Sequence, residues 1–189
     1  MKNISQNEFK SEVREFKGVA LVDFYADWCG PCKMLSPLLE EMSKSNTDSQ
    51  VKFLKMNVDT EQAIAQILGI QSIPTVVVFK DGLIVNQMVG VSPKADYSKA
   101  IESAKKSEAG ASRKVIVFST PTCPYCHQAK AYLKEKGVAF EDVDVSKDQQ
   151  KAQQMVEKSG QMGVPQLWID DQVVVGFNRP QINMMLGIR

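Results

Sequence analysis

Four cysteines stand in two pairs of identical spacing, Cys29-Gly30-Pro31-Cys32 and Cys123-Pro124-Tyr125-Cys126, and the chain has no others. Two residues between partners close almost no loop, so a disulfide within either pair would restrain the unfolded chain very little. A secreted scaffold instead spreads its cysteines to staple distant segments. The pairs therefore read as reversible dithiol/disulfide centres. Such a centre works best at the start of a helix, where free N–H groups and the positive end of the dipole favour a thiolate on the first cysteine. The second cysteine, one turn further on, can then resolve the mixed disulfide. Cys29 and Cys123 are the expected nucleophiles, and Cys32 and Cys126 the resolving residues.

The flanking sequence supplies those helix starts. Residues 19–26 (VALVDFYA) read as a buried strand, and 32–44 as a helix with Leu35, Leu38, Leu39 and Met42 inward and Pro37 kinking it. Before them, 5–17 reads as a helix opened by a Ser5/Glu8 capping box, with Phe9, Val13 and Phe16 on its apolar face and Gly18 as its stop. A strand is expected over 51–58, a short helix over 61–68, and two strands, 75–80 and 83–89, around the turn Asp81-Gly82. Ser92-Pro93 opens a helix running toward Lys106. The small polar stretch SEAGAS then marks a boundary.

Beyond it the plan repeats in shorter form. A strand at 114–118 is followed by a helix at 125–136 stopped by Gly137, a strand at 139–145 and a helix from about 147 to 159. Strands at 166–169 and 173–175 flank Asp170-Asp171, and Asn178 caps a last helix with Pro180 near its start. Cys29 to Pro74 is 45 positions, and Cys123 to Pro165 is 42. The expected organisation is α/β in two tandem domains, 1–107 and 113–189, joined by a linker at 108–112, each a central mixed sheet flanked by helices.

Composition sets the outer bounds. With 189 residues, 43% apolar and 24% charged, the chain can bury two modest cores. A net charge of +1 gives no electrostatic reason to expect nucleic acid or an anionic membrane as partner. No run approaches the ~20 apolar residues of a membrane span, and MKNISQNEFKSEV contains no apolar stretch of signal-peptide type. A cytoplasmic location is the expectation.

Each half of the sequence carries a resemblance. VDFYADWCGPC, Pro37, Ile73-Pro74-Thr75 and Gly90 make the first half resemble thioredoxin. CPYC, Gly163-Val164-Pro165 and Gly176 make the second half resemble the glutaredoxins. The resemblance implies two thioredoxin folds and a protein-disulfide reductase with no bound cofactor or metal. Electrons would come from NADPH through thioredoxin reductase, with glutathione as a second donor to consider, and the substrates would be disulfide-containing proteins. It also implies that Asp23, six residues before Cys29 in an apolar strand, is a buried carboxylate accepting the proton of Cys32. Lys55 is then either its charged neighbour or a solvated strand lysine. Val117 takes the place of Asp23 in the second half. Pro74 and Pro165 are expected to be cis and to face the cysteines, turning the backbone of Ile73 and Val164 toward substrate. The implied substrate face comprises Trp28, Ile73, Pro74 and Gly90 in the first half and Tyr125, Val164 and Pro165 in the second. The second half departs from glutathione-using glutaredoxins. No basic residue precedes its cysteines in Phe118-Ser119-Thr120-Pro121-Thr122, and Val175-Gly176-Phe177-Asn178-Arg179-Pro180 stands where they have a Gly-Gly turn followed by acidic or hydroxyl residues.

Other readings of the same motifs are weaker. Cys123 to His127 matches a haem c attachment pattern, but His127 is the sole histidine, and it reads better as a solvated residue of the first helical turn. A four-thiolate zinc site would join pairs 94 positions apart, each opening a helix of its own. Met155, Met162, Met184 and Met185 read as core filler. The expected function is a disulfide reductase relaying electrons from the first pair to the second. The alternatives are two independent redox modules, or a non-catalytic binding protein of the same fold.

Overall fold

The computed structural model describes residues 1–107, 113–170 and 172–188. The chain divides into two compact units, Met1–Ala111 and Ser112–Arg189. The expected linker at 108–112 lies outside the described residues, as does Asp171.

In the first unit the order is β1 (Lys2–Asn3), α1 (Gln6–Phe9), β2 (Val19–Tyr25), α2 (Gly30–Ser45), β3 (Val51–Asn57), α3 (Gln62–Ile67), β4 (Thr75–Lys80), β5 (Leu83–Val89) and α4 (Lys94–Lys106). The sheet runs β1-β3-β2-β4-β5, with β1, β3 and β2 parallel and β4 and β5 antiparallel. β2 is central and covered on both faces, which is why VALVDFY is almost continuously apolar. Val19, Leu21, Val76 and Val78 pack with Leu35, Leu39 and Met42 of α2 and Tyr97, Ala100, Ile101 and Ala104 of α4. Phe79 points the other way, onto Phe9 of α1.

The expected helix at 5–17 is shorter. α1 widens into a single π turn over Lys10–Arg14, and the helix ends at Glu15. The capping residue acts as expected: the Ser5 N–H donates to the Glu8 carboxylate at 3.0 Å. β1, only two residues long, has no periodicity to announce it. Leu38, expected inward, is only half-buried beside that core.

The second unit repeats the plan without the opening strand and helix. It runs β6 (Val115–Ser119), α5 (Pro124–Glu135), β7 (Glu141–Asp144), α6 (Gln149–Ser159), β8 (Gln166–Ile169), β9 (Gln172–Val175) and α7 (Arg179–Leu186). Its sheet order is β7-β6-β8-β9, with β6 and β7 parallel and the rest antiparallel. Asn178 caps α7 by accepting the Gln181 N–H. Met155, Met184 and Met185 fill the core as expected, but Met162 is 81% exposed. It lies in the loop before Pro165 rather than on a packed helix face, which corrects its assignment to the core.

Candidate active site

Both cysteine pairs occupy the same place in their units, the junction of the central strand with the following helix. Cys29 caps α2 and its sulfur accepts the Cys32 N–H at 3.1 Å. Cys123 caps α5 and accepts the Cys126 N–H at 3.1 Å. A proline in the first turn of each helix suits a position whose N–H has no intrahelical acceptor. Each pair is closed as a disulfide, with Cα atoms 5.3 Å apart. In the second unit Cys126 is fully buried and Cys123 half-buried, whereas in the first both cysteines are buried, Cys29 at 4% and Cys32 at 1% exposure. Helix N-termini are where a sulfur anion is stabilised, so the geometry suits attack by Cys29 and Cys123.

Asp23 lies on β2 on the face shared with Val19 and Leu21, hence on the side of the sheet that α2 covers. It is 0% exposed, and neither carboxylate oxygen has a hydrogen-bond partner. Burial pushes its pKa up to about 7, against the opposing pull of Lys55. Lys55 is its register partner on β3, and its ammonium lies 3.5 Å from Glu40 of α2. Of the two readings of Lys55, the charged neighbour is the one in place. A cleft of about 310 Å³ lined by Cys32, Ser36, Pro37 and Glu40, among others, opens beside Cys32.

The second unit has Val117 at the matching position, and its charges are arranged in the opposite sense. The register partner of Val117 is Asp142 on β7. Asp142 accepts from Lys130 of α5 at 2.8 Å and from Ser119 at 2.7 Å. Burial works against its ionisation, but these hydrogen bonds prevail and hold it below the usual carboxylate range. One unit thus ties strand to helix by Lys55 and Glu40, the other by Asp142 and Lys130. The sequence gives no sign of this network, because its members are 11 to 23 positions apart.

The loops opposite the cysteines also match. The Ile73–Pro74 and Val164–Pro165 bonds are cis. Ile73 packs against the cluster of Ala26, Cys29 and Cys32. The Val164 carbonyl lies 3.7 Å from the Cys123 sulfur. Gly90 donates to the Pro74 carbonyl and Gly176 to the Pro165 carbonyl, both at 2.8 Å. Around these loops stand exposed apolar side chains: Trp28, 70% exposed, with Val89 and Val91 in the first unit, and Tyr125 and Met162 in the second. Trp28 is therefore not a core residue, and its indole N–H is held by Asp59 at 2.9 Å, a partner the sequence did not indicate. His127 is exposed, as expected, with Nε2 at 2.7 Å from the Pro121 carbonyl. Among the described residues no group of three or more His, Cys, Asp or Glu could hold a metal ion, and no helix is long and apolar enough to cross a membrane.

Comparison with known proteins agrees with this geometry in both halves. The thioredoxin family model matches residues 1–103, and the glutaredoxin model residues 115–174. Thioredoxin 1 of Synechococcus elongatus is 41% identical over 99 residues, covering 52% of this chain and 92% of that protein. The thioredoxin of Rickettsia felis is 46% identical over 92 residues, covering 49% and 87%. Among solved structures, a mutant thioredoxin from Halobacterium salinarum aligns over 57% of this chain and 93% of its own, with a TM-score of 0.51 and 35% identity.

Proposed function

Because the chain belongs to the thioredoxin family and carries a glutaredoxin domain behind its thioredoxin domain, we propose that its two redox centres work in series. The chain is a thiol–disulfide oxidoreductase, and each Cys-x-x-Cys pair is a redox centre. The observation that carries the serial reading is the pairing, in one polypeptide, of two such centres that differ in proton chemistry. The central strand leading to one carries a buried Asp23, and the strand leading to the other carries Val117 in its place.

In the proposed cycle the first pair is reduced by NADPH through thioredoxin reductase. The Cys29 thiolate attacks a disulfide, forms a mixed disulfide and releases one thiolate. Cys32 gives its proton to the Asp23 carboxylate, attacks the Cys29 sulfur and expels the second thiolate. Two electrons leave, and the Cys29–Cys32 disulfide remains. When the disulfide attacked is Cys123–Cys126, the second pair becomes the dithiol that meets substrate. Potentials usual for the two families, about −270 mV and about −200 to −230 mV, make this transfer downhill by roughly 2–3 kcal/mol. A short tether supplies an effective concentration of order millimolar.

Disulfide-bearing proteins are the proposed substrates. Trp28, Ile73, Pro74 and Gly90 would form the docking face of the first unit, and Tyr125, Val164 and Pro165 that of the second. Cysteines confined to two redox pairs suit a reducing cytoplasm. The deciding assay supplies full-length protein, NADPH and thioredoxin reductase, without glutathione, and follows a substrate that only the second pair reduces. Loss of turnover in Cys29→Ser/Cys32→Ser is expected. Undiminished turnover would mean that the second pair draws electrons directly, and a restoration only by added glutathione would identify glutathione as its donor.

A further inference from the structure

The residue after each proline of the two loops carries a buried polar side chain that reaches back across the loop. Thr75 is 1% exposed, and its hydroxyl donates to the Ser72 carbonyl at 2.7 Å. Gln166 is 0% exposed, and its Nε2 donates to the Gly163 carbonyl at 3.1 Å and to the Gln161 carbonyl at 2.8 Å. Ser72 and Gly163 hold the same position, two residues before the proline. Two different side chains on two different sheets thus make the same tie. With the hydrogen bonds from Gly90 and Gly176 to the proline carbonyls, each loop is anchored on both sides of its Ile73-Pro74 or Val164-Pro165 dipeptide.

Energetics favours a purpose beyond filling space. Gln166 leaves Oε1 buried without a partner, a desolvation cost that an aliphatic side chain would avoid. Its two acceptors are both carbonyls, so the amide must present its NH₂ to the loop and its oxygen to the core. Removing either tie would take from the Ser72 or the Gly163 carbonyl the side-chain donor it has here.

We propose that Thr75 and Gln166 are positioning residues that hold the backbone of Ile73 and Val164 in place to pair with an extended disulfide-bearing segment of the substrate. This rests on the reading of the two loops as substrate-facing. The cysteines need no such help to meet a small disulfide. The ties therefore act on discrimination between substrates and leave thiol reactivity alone.

The experiment uses full chains in which the other pair is silenced: Thr75→Val in Cys123→Ser/Cys126→Ser, and Gln166→Met in Cys29→Ser/Cys32→Ser. Each is reduced with dithiothreitol, desalted and mixed with one of two oxidants, an extended peptide containing a disulfide or 2-hydroxyethyl disulfide. The expected result is a peptide rate lowered about five- to tenfold, as for loss of one hydrogen bond, with the rate toward the small disulfide changed less than about twofold. Thr75→Ser, which keeps the hydroxyl, should restore the peptide rate. Equal losses with both oxidants, no loss with either, or failure of Thr75→Ser to restore the rate would each overturn the proposal. Should Gln166→Met fail to fold, Thr75→Val and Thr75→Ser decide alone. Parent chains inert toward both oxidants would sink the functional reading itself, whereas active parents with unshifted variants sink only the tie.

Discussion

Asp23 shows how burying one carboxyl makes stability depend on pH. Its ordinary pKa is 3.8, and burial raises it to about 7. The folded state therefore holds the proton more tightly than the unfolded one. Stability from this group is complete below pH ~4 and is lost as pH rises to about 7, because the unfolded state then gains more by ionising. The gap corresponds to roughly 4 kcal/mol. Asp23→Asn does not titrate, so its stability relative to the parent should rise by roughly 2–3 kcal/mol between pH 5 and pH 8, read from urea unfolding of the first unit. The same variant should slow disulfide reduction by the first pair and remove an inflection near pH 7 from its rate profile. A rate profile identical to the parent would confine Asp23 to a structural role. The second unit, with Val117 there, should show neither effect.

At the scale of elements, the turn between β4 and β5 sits in close contact with the end of the first helical segment. Asp81 and Gly82 both take positive φ, 51° and 81°, as a two-residue hairpin turn of this hand requires. A Cβ on Gly82 would lie 2.1 Å from the Arg14 carbonyl oxygen, while the Arg14 guanidinium donates to the Gly82 carbonyl at 2.9 Å. The clash is backbone against backbone and cannot be relieved by turning a side chain. Gly82→Ala should therefore destabilise the first unit by about 2 kcal/mol or more, measured as a lower urea midpoint. The second unit's transition should not move. A loss under about 0.5 kcal/mol would show that the hairpin and the segment ending α1 can separate freely. The π turn at Lys10–Arg14 brings Arg14 to this contact, which gives a physical sense to a helix that widens before it stops.

For the whole molecule, the question is whether two centres in one chain amount to more than two centres in solution. If transfer runs within the chain, its rate is independent of protein concentration. Cutting the chain between the units, as separate 1–107 and 113–189 polypeptides, makes the same transfer bimolecular. At micromolar concentrations the tether's advantage, of order millimolar, is then lost, and flux from the first pair to the second should fall by about a hundredfold or more. Stopped-flow oxidation of the reduced first pair by the oxidised second pair measures it. A cut chain that transfers as fast as the intact one would point to independent modules.

How much of this was legible in the residues follows from the range of the interactions. The cysteine pairs, their helix starts, the buried central strands and the Asp81-Gly82 turn are local, set by a few neighbouring side chains, so sequence alone determined them. So was the repeat of the plan, since each half had to bury one sheet with the same order of apolar segments. The resemblance added cis prolines and a buried Asp23. Only the tertiary structure decided what meets across the sheets and loops. Lys55 and Glu40 on one unit, and Asp142, Lys130 and Ser119 on the other, come together because β3 and β7 lie parallel to the central strands and under a helix. Trp28 finds Asp59, and Met162, in the loop before Pro165, stays in solvent. Thr75 and Gln166 look in sequence like ordinary first residues of strands. They become ties only when the chain doubles back at the proline and sets their hydrogens against carbonyls two residues before it. Periodicity records which face of an element is buried. It carries no record of which polar atom the fold will bring to hydrogen-bonding distance, because that depends on the path of the chain in space.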